Sequence, residues 1–317
     1  MKDIDPSLVL QGLESVQNRL REGHPLLDHF SVKYSNKLAG IGGEERVADE
    51  FRKHSFSIDH RIYHDLSLSS SSPFQMDNFF LTHYYGIIFE VKNISGKLRF
   101  LDNPAQLIQI KDGEQERGLD SPAAQVERNR ELLDIWLKSR NIHLPVYGVV
   151  VLAYPKQIVE KAPAKTKVLF PNLIAPFIRN IPQKQTKLDN DTFHWLASEL
   201  LNNHIMHVPD PICSTYQISK SDILTGVRCE LCGHIGMEKT TRSWYCSKCK
   251  TSDPLAYQKA IKEWFLLIGR NITNADCREF LHVDKHTATR ILKRMNLQSE
   301  GSYKDRTYSM NFNDFLK

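Results

Sequence analysis

The sequence of 317 residues predicts an α/β core followed by two small modules. Apolar runs of strand length occur at residues 75–82, 86–93 and 146–152. Two Cys-x-x-Cys pairs follow, and helical periodicity resumes after Asp253. A chain of this length has room for one sizeable core and two smaller domains. The expected domains are residues 1–217, 218–252 and 253–317.

Two acids and a lysine interrupt the first two strand-like runs. Asp77 lies in the first run, and Glu90 and Lys92 lie in the second. Charge inside an apolar strand is costly unless something binds it. Residues two apart on a strand share a face, so Glu90 and Lys92 point the same way. A turn at residues 83–86 would pair the runs as an antiparallel hairpin and bring Asp77 beside Glu90.

This constellation suits metal-assisted hydrolysis of a phosphodiester. Asp77 and Glu90 supply hard oxygen ligands for Mg²⁺ or Mn²⁺, which bind carboxylates, waters and phosphate oxygens. Lys92 is placed to orient the attacking water or to stabilise the transition state. The alternative is a strand whose polar face meets solvent, with Glu90 and Lys92 as an ordinary surface pair.

Four segments carry a resemblance to a known family. They are residues 40–47, the Gln-x-Asp strand at 75–77, residues 89–93 with Gly96, and residues 122–125. Together they resemble the nuclease-related (NERD) domain of the PD-(D/E)xK nuclease superfamily, over about residues 38–152. The resemblance implies a restriction-endonuclease-like fold, in which helices flank a central mixed β-sheet. The chain departs from the family at Met76 and Asn78 and in an insertion-like stretch, residues 102–120.

The resemblance also implies roles for individual residues. Asp77 and Glu90 would be the metal ligands and Lys92 the catalytic lysine. Glu44 would be an acid of the site that is carried by a helix. Gly42 and Gly43 predict that a helix starts here. The alternative for Glu44 is therefore an acid in the first turn that complements the helix dipole.

Gln125 would be a polar group near the site, carried by a second helix. That helix is opened by Ser121 and Pro122 and runs to about Ser139. A solvated Gln125 remains the alternative.

A second signal comes from the cysteines. Two Cys-x-x-Cys pairs lie 13 residues apart, at Cys229, Cys232, Cys246 and Cys249. Four thiolates at this spacing predict a structural Zn²⁺ site, because so short a segment has too little core to fold alone. Disulfides or an iron–sulfur centre are the alternatives. Cys213 and Cys277 lack partner spacing and are expected to be ordinary thiols, and His234 is expected on the surface.

The last 65 residues predict a winged helix-turn-helix. A capping box at residues 273–276 opens a short helix, and Asp284 opens a third helix with a buried apolar face. The opposite face of this third helix carries Lys285, His286, Thr289, Arg290 and Lys293. Such groups suit contacts in the DNA major groove, and a wing at residues 301–308 would add Lys304 and Arg306. The alternative is a helical bundle with a solvated or protein-binding face.

Charge follows the same division of the chain. Residues 218–317 hold 17 Lys/Arg and 11 Asp/Glu, a net charge of +6, whereas residues 1–217 have a net charge of −1. The excess positive charge would steer the C-terminal part of the chain towards phosphate groups. No signal segment and no apolar run of 18 residues occurs, so a cytoplasmic location is expected.

These observations predict a metal-dependent DNA nuclease. One alternative is a non-catalytic DNA-binding or regulatory protein that keeps the nuclease fold as a scaffold; another is an RNA nuclease. No G-x-x-x-x-G-K-[ST] loop occurs, so any helicase would be a separate partner. Residues 6–22 predict a helix that packs on the nuclease core.

Overall fold

The computed structural model describes residues 7–111, 115–183, 185–302 and 305–312. The helices are α1 (Leu8–Arg19), α2 (Leu27–Lys53), α3 (Pro122–Lys138), α4 (Ile174–Asn180), α5 (Asn190–Asn202), α6 (Ile212–Tyr216), α7 (Ala256–Leu267), α8 (Asn274–Leu281) and α9 (Lys285–Arg294). The strands of the first half are β1 (His60–Ser69), β2 (Pro73–Thr82), β3 (Gly86–Lys92), β4 (Lys97–Asp102), β5 (Ala105–Ile110), β6 (Glu116–Asp120), β7 (Val146–Leu152), β8 (Ile158–Lys161) and β9 (Lys167–Leu169). The later strands are β10 (Glu238–Lys239), β11 (Trp244–Tyr245), β12 (Ser252–Asp253), β13 (Asn271–Thr273), β14 (Gln298–Glu300) and β15 (Thr307–Ser309).

The chain divides into two compact units. Residues 38–206 form the first unit, and residues 7–37 join residues 207–312 in the second. Among the described residues, no helix is both long enough and apolar enough to cross a membrane.

A five-stranded mixed sheet is the centre of the first unit. Its strand order is β1-β2-β3-β7-β9, with antiparallel pairing from β1 to β3 and parallel pairing from β3 to β9. This confirms the expected mixed sheet and the hairpin of β2 and β3. β7 lies between two parallel neighbours, and its residues from Val149 to Leu152 are fully buried, as the continuous apolar run predicts.

Helices cover both faces of this sheet. On one face, Leu133 and Trp136 of α3 and Phe193 of α5 pack against Phe79 and neighbouring apolar residues. On the other face, α2 and α4 pack against alternate residues of β3 and β7. Adjacent residues of a strand point to opposite faces, so each strand supplies both layers of the core.

The insertion-like stretch contributes β5 and β6 to a second, four-stranded sheet. Its strand order is β6-β5-β4-β8, and its apolar side packs with Val126 of α3 and Val150 and Leu152 of β7. The segment is therefore part of the core of the first unit and adds no separate domain.

The predicted helix start at Gly42 is wrong. α2 begins at Leu27, and both glycines lie inside the helix. A mid-helix glycine costs roughly 1 kcal/mol relative to alanine. Gly43 has a packing reason, because a Cβ there would lie 3.2 Å from the Cβ atoms of Asn93 and Ala153. The missing side chain lets α2 approach the ends of β3 and β7.

The second unit combines the N-terminal helix with the C-terminal modules. α1 forms as predicted, but it belongs to the second unit, where it packs on α7, and the expectation that it joins the nuclease core is wrong. The buried Arg19 of α1 pairs with the buried Glu263 of α7, with 2.6 Å between Nη2 and Oε2. Arg19 also donates hydrogen bonds to the carbonyls of Leu224 and Gly226. A partner so distant in sequence leaves no periodic signal in the chain.

Candidate active site and metal centre

Asp77 and Glu90 meet at the open end of the β2–β3 hairpin. Backbone pairing of these strands ends at Asn78 and Phe89, and Asp77 is next in register with Glu90. Asp77 Oδ2 accepts the backbone N–H of Val91 at 2.7 Å. The Asp77 carboxylate thus bonds the backbone of β3 where the ladder of strand hydrogen bonds has stopped.

Lys92 joins β3 to α3 at this point. Its Nζ donates to Glu90 Oε1 at 2.6 Å and to Gln125 Oε1 at 3.1 Å. Phe89 and Val91 point into the apolar core on the α2 side, so Glu90 and Lys92 share the other face as the alternation predicts. The expected helix of Gln125 forms as α3, with the Ser121 side chain accepting the N–H of Ala124. Gln125 contacts the site and is not merely a solvated helix residue.

The electrostatics favour a protonated Glu90. Only 1% of Glu90 is exposed, and loss of solvation together with the Asp77 carboxylate raises its pKa to about 8. Burial lowers the pKa of Lys92, but the negative charges of Glu90 and Asp77 outweigh that effect and raise it. Lys92 therefore stays charged at neutral pH, and the acids compete for a proton or for a cation.

Glu44 lies within electrostatic range of this group. Its charge contributes to the raised pKa of Glu90, although less than burial and Asp77 do. The approach of α2 at Gly43 carries Glu44 to this edge of the sheet. A first-turn position is excluded for Glu44, because α2 begins 17 residues earlier, at Leu27.

The donor set fits a divalent metal ion. Among the described residues, Glu90 Oε2 is buried without a hydrogen-bond partner. A buried carboxylate oxygen without a donor is costly, and a cation would satisfy it. Asp77 and Glu90 would supply the two carboxylates that Mg²⁺ commonly takes from a protein, with waters and substrate phosphates completing its octahedron.

Two polar residues near the site were not foreseen from the sequence. Asn129, one turn after Gln125 on α3, is 1% exposed and donates to the carbonyl of Gln75 at 2.7 Å. This bond fixes α3 to β2 two residues from Asp77. Asp65 has a positive φ of 51° and interrupts β1 where the register would place it opposite Asp77. Asp65 Oδ1 accepts a hydrogen bond from Gln75 Nε2 at 2.5 Å. A polar residue inside a strand-like run was the available signal for Asp65.

The four cysteines form a cluster in the second unit that could hold a metal ion. The Sγ atoms of Cys229, Cys232, Cys246 and Cys249 all lie within 4.8 Å of one another, and they are the only such group of three or more ligand residues in the described part of the chain. Two of the Sγ–Sγ distances are 3.6 Å, far longer than a disulfide. A tetrahedron with Zn–S bonds of about 2.3 Å has S–S edges of about 3.8 Å, so the spacing fits zinc.

The two Cys-x-x-Cys segments share one backbone pattern. In the first, Gly233 N–H donates to Cys229 O at 2.9 Å, and Cys229 N–H donates to His234 O at 2.8 Å. In the second, Lys250 and Thr251 make the same bonds with Cys246 at 2.9 and 2.8 Å. Gly233 and Lys250 both have positive φ, 73° and 63°. Each Cys-x-x-Cys turn is therefore closed by its own backbone hydrogen bonds and does not need the other turn to keep its shape. The three-stranded sheet β10-β11-β12 completes this region.

The remaining thiols match the expectation of ordinary cysteines. Cys213 and Cys277 are buried, and burial raises the pKa of Cys213 to about 11 and that of Cys277 to about 12. Thiols with raised pKa are poor nucleophiles at neutral pH.

α9 has the two faces that the sequence predicts. The residues Ala288, Ile291, Leu292 and Met295 are buried, while the residues Lys285, His286, Arg290 and Lys293 are exposed. Asp284 caps the helix by accepting the backbone N–H groups of His286 and Thr287. Thr289 is half-buried and accepts from Asn274 Nδ2 at 3.0 Å, so its hydroxyl is partly engaged within the unit.

Of the two cations expected on the wing, only Arg306 lies in the described part of the chain. Arg306, just before β15, is half-buried, and Lys304 lies outside the described residues. A lysine from the four-cysteine region adds to the charge instead. Lys239 of β10 lies within electrostatic range of Arg290 and Arg294, and its partial burial and these two positive charges lower its pKa.

The mixed sheet, its flanking helices and the pair of buried Glu90 with half-buried Lys92 define an α/β domain of nuclease-like architecture. Residues 39–153 match the family model of the nuclease-related domain, and the chain therefore contains a nuclease-related domain over this segment. No curated protein and no solved structure matches the chain.

Proposed function

We propose that this protein is a metal-dependent nuclease that hydrolyses DNA phosphodiester bonds. The observation that carries the proposal is Glu90, a buried acid at the end of β3 with one oxygen on Lys92 and the other without a partner among the described residues. Burying such a group in the folded protein is costly, and its presence suits a site that binds a cation. The match to the nuclease-related domain supports this assignment.

The residues of the site then have distinct roles. Asp77 and Glu90 would hold Mg²⁺ or Mn²⁺, which supplies charge to neutralise the scissile phosphate and lowers the pKa of bound water. Lys92 places a positive charge where the phosphate develops negative charge during hydrolysis. Gln125 holds Lys92 in position through its Oε1, and Glu44 adds negative charge at the same edge.

The second unit is proposed to bind the DNA. Its elements follow the order α7-β13-α8-α9-β14-β15, and its sheet has the order β13-β15-β14. This order supports a winged helix-turn-helix. In this interpretation α9 is the recognition helix and the segment between β14 and β15 is the wing. The exposed cations of α9 support DNA as the substrate over RNA, because a helix fits the DNA major groove and not the narrow one of A-form RNA.

Structural Zn²⁺ would hold the four-cysteine region in place. This region has only three two-residue strands, so most of its folding free energy must come from the metal. A cytoplasmic location also stays part of the proposal, because thiolate zinc sites persist in a reducing compartment.

A cleavage assay with matched variants tests the activity. Plasmid DNA, linear DNA and RNA would be incubated with Mg²⁺, Mn²⁺ or EDTA. We expect metal-dependent cleavage of DNA that disappears in Glu90→Gln and Lys92→Met. The exposed Glu116→Gln serves as the control of equal charge change. Equal cleavage by wild type and Glu90→Gln would refute the enzyme proposal, and preferential cleavage of RNA would change its substrate.

The second candidate function is DNA binding without cleavage. The observation that favours it is the basic face of α9, which would bind DNA whether or not the first unit cuts it. The α9 triple variant, defined as Lys285→Ala with Arg290→Ala and Lys293→Ala, separates the two functions. Metal-dependent cleavage by wild type excludes the scaffold interpretation. Tight DNA binding that the triple variant loses, without cleavage under any metal condition, establishes it.

A further inference from the structure

A short turn follows β7 beside the proposed active site. β7 pairs with β3 up to Leu152 opposite Lys92, and the next residue, Ala153, donates its N–H to the carbonyl of Lys92 at 2.9 Å. The chain then turns from Tyr154 to Gln157. Gln157 N–H donates to Tyr154 O at 3.3 Å, and Gln157 Oε1 accepts the N–H of Tyr154 at 3.4 Å. Gln157 is 3% exposed, so a buried side chain fixes the turn.

Two cations lie against the ring of Tyr154. Arg46 Cζ is 5.0 Å from the ring centroid and Lys156 Nζ is 5.8 Å from it. Arg46 comes from α2, two residues after Glu44, and Lys156 comes from the turn itself. A cation near an aromatic face gains roughly 0.5–1 kcal/mol at an exposed site, which favours one position over many.

These cations lack the acidic partners that similar residues have. Arg52, also on α2, pairs with Asp49, and Lys53 pairs with Glu50. Within the described part of the chain, neither Arg46 nor Lys156 has a carboxylate at ion-pairing distance. Both cations are exposed. They therefore present positive charge to solvent at the turn that follows β7.

We infer that Arg46, Tyr154 and Lys156 form a subsite that binds a backbone phosphate of the nucleic acid at the same end of the sheet as Lys92. The inference rests on the proposed function, because it assigns the contact that holds the substrate strand at that site. The positive charges of Arg46 and Lys156 attract the negatively charged backbone and would hold the strand at this edge of the sheet. Arg46 and Lys156 supply this charge from two elements that meet at one ring.

A binding experiment on the full chain tests the subsite without relying on cleavage. Asp77→Asn prevents turnover, and the α9 triple variant removes the competing contribution of the second unit. In this background, Arg46→Ala with Lys156→Ala is compared with a control pair, Arg52→Ala with Lys161→Ala, that removes the same two charges from exposed positions. The dissociation constants for labelled duplex and single-stranded oligonucleotides are measured over a range of salt concentrations.

Two lost phosphate contacts should reduce the log–log salt slope by about 1.8 for duplex, or about 1.4 for single strands. The control pair should leave the slope unchanged. Equal slopes for the two pairs on both substrates would overturn the subsite. A reduced slope in a protein whose Glu90→Gln variant cleaves like wild type would keep the subsite and refute the proposed catalytic centre, so the two failures are distinguishable.

Discussion

Glu90→Gln should stabilise the metal-free first unit while it removes the proposed activity. In the folded protein the pKa of Glu90 is raised from 4.5 to about 8 by burial and by Asp77. A raised carboxyl pKa means that the folded state holds its proton more tightly than the unfolded state does. The resulting stability is fully present below pH 4.5 and is lost as the pH rises through 8.

The magnitude follows from the size of the shift. A change of one pKa unit corresponds to about 1.4 kcal/mol, so the whole shift corresponds to about 5 kcal/mol. Glutamine resembles protonated Glu90 and carries no such dependence. The variant's stability advantage should therefore be about 1 kcal/mol at pH 5 and rise to about 4–5 kcal/mol at pH 9.

Hydrogen exchange of peptides from β2 and β3 measures this difference in the first unit alone. Wild type and Glu90→Gln would be compared in EDTA from pH 5 to pH 9, with exchange corrected for its intrinsic pH dependence. Glu116→Gln is the control, since this exposed acid should give a curve parallel to wild type. A constant difference between wild type and Glu90→Gln across this range would refute a raised pKa for Glu90.

The remaining predictions concern the second unit. Purified protein should contain about one zinc ion per chain. Cys246→Ser should lose the zinc and unfold the region around the four cysteines, whereas the control Cys213→Ser should keep the zinc. Elemental analysis that finds no zinc in the wild type would refute the site. The α9 triple variant should lower the salt slope of DNA binding by up to about 2.7 and change cleavage at saturating DNA much less; wild-type affinity at every salt concentration would instead indicate a protein-docking helix. Arg19→Met should lower the free energy of urea unfolding by about 3–5 kcal/mol, because it leaves Glu263 buried and unpaired. Adding Glu263→Leu should recover most of that loss. An unchanged unfolding midpoint in the single variant would show that the pair is not buried in solution.

Local patterns in the sequence predicted the parts of the protein that local physics determines. The alternation around Glu90 and Lys92 gave their shared face, and the apolar run at residues 146–152 gave the buried strand. The capping box at Thr273 and Asp276 is present as predicted, because its bonds join residues only three apart. Each Cys-x-x-Cys pair is also local, and the recurrence of the pair predicted the four-thiol cluster.

Long-range packing determined what the sequence could not show. Gly43 resembled a helix start because glycine is rare inside helices, and only its contact with Ala153 explains it there. The partner of Arg19 lies 244 residues away, so the placement of α1 could not be inferred from periodicity. The approach of Arg46 to Tyr154 likewise depends on how α2 crosses the end of β7.

The hydrogen bond from Val91 to Asp77 gives the Asp77 side chain two roles, one in the structure of the sheet and one in the proposed metal site. One carboxylate oxygen of Asp77 accepts a hydrogen bond from the backbone of β3, and the remaining lone pairs of the group can ligate a cation. Removing the side chain would loosen the end of the hairpin and displace Glu90 together with any metal, so an alanine variant mixes structural damage with lost chemistry. Asparagine retains an oxygen for the backbone and presents an uncharged amide to the metal. The residue therefore couples the hydrogen bonding at the end of the sheet to the charge of the site.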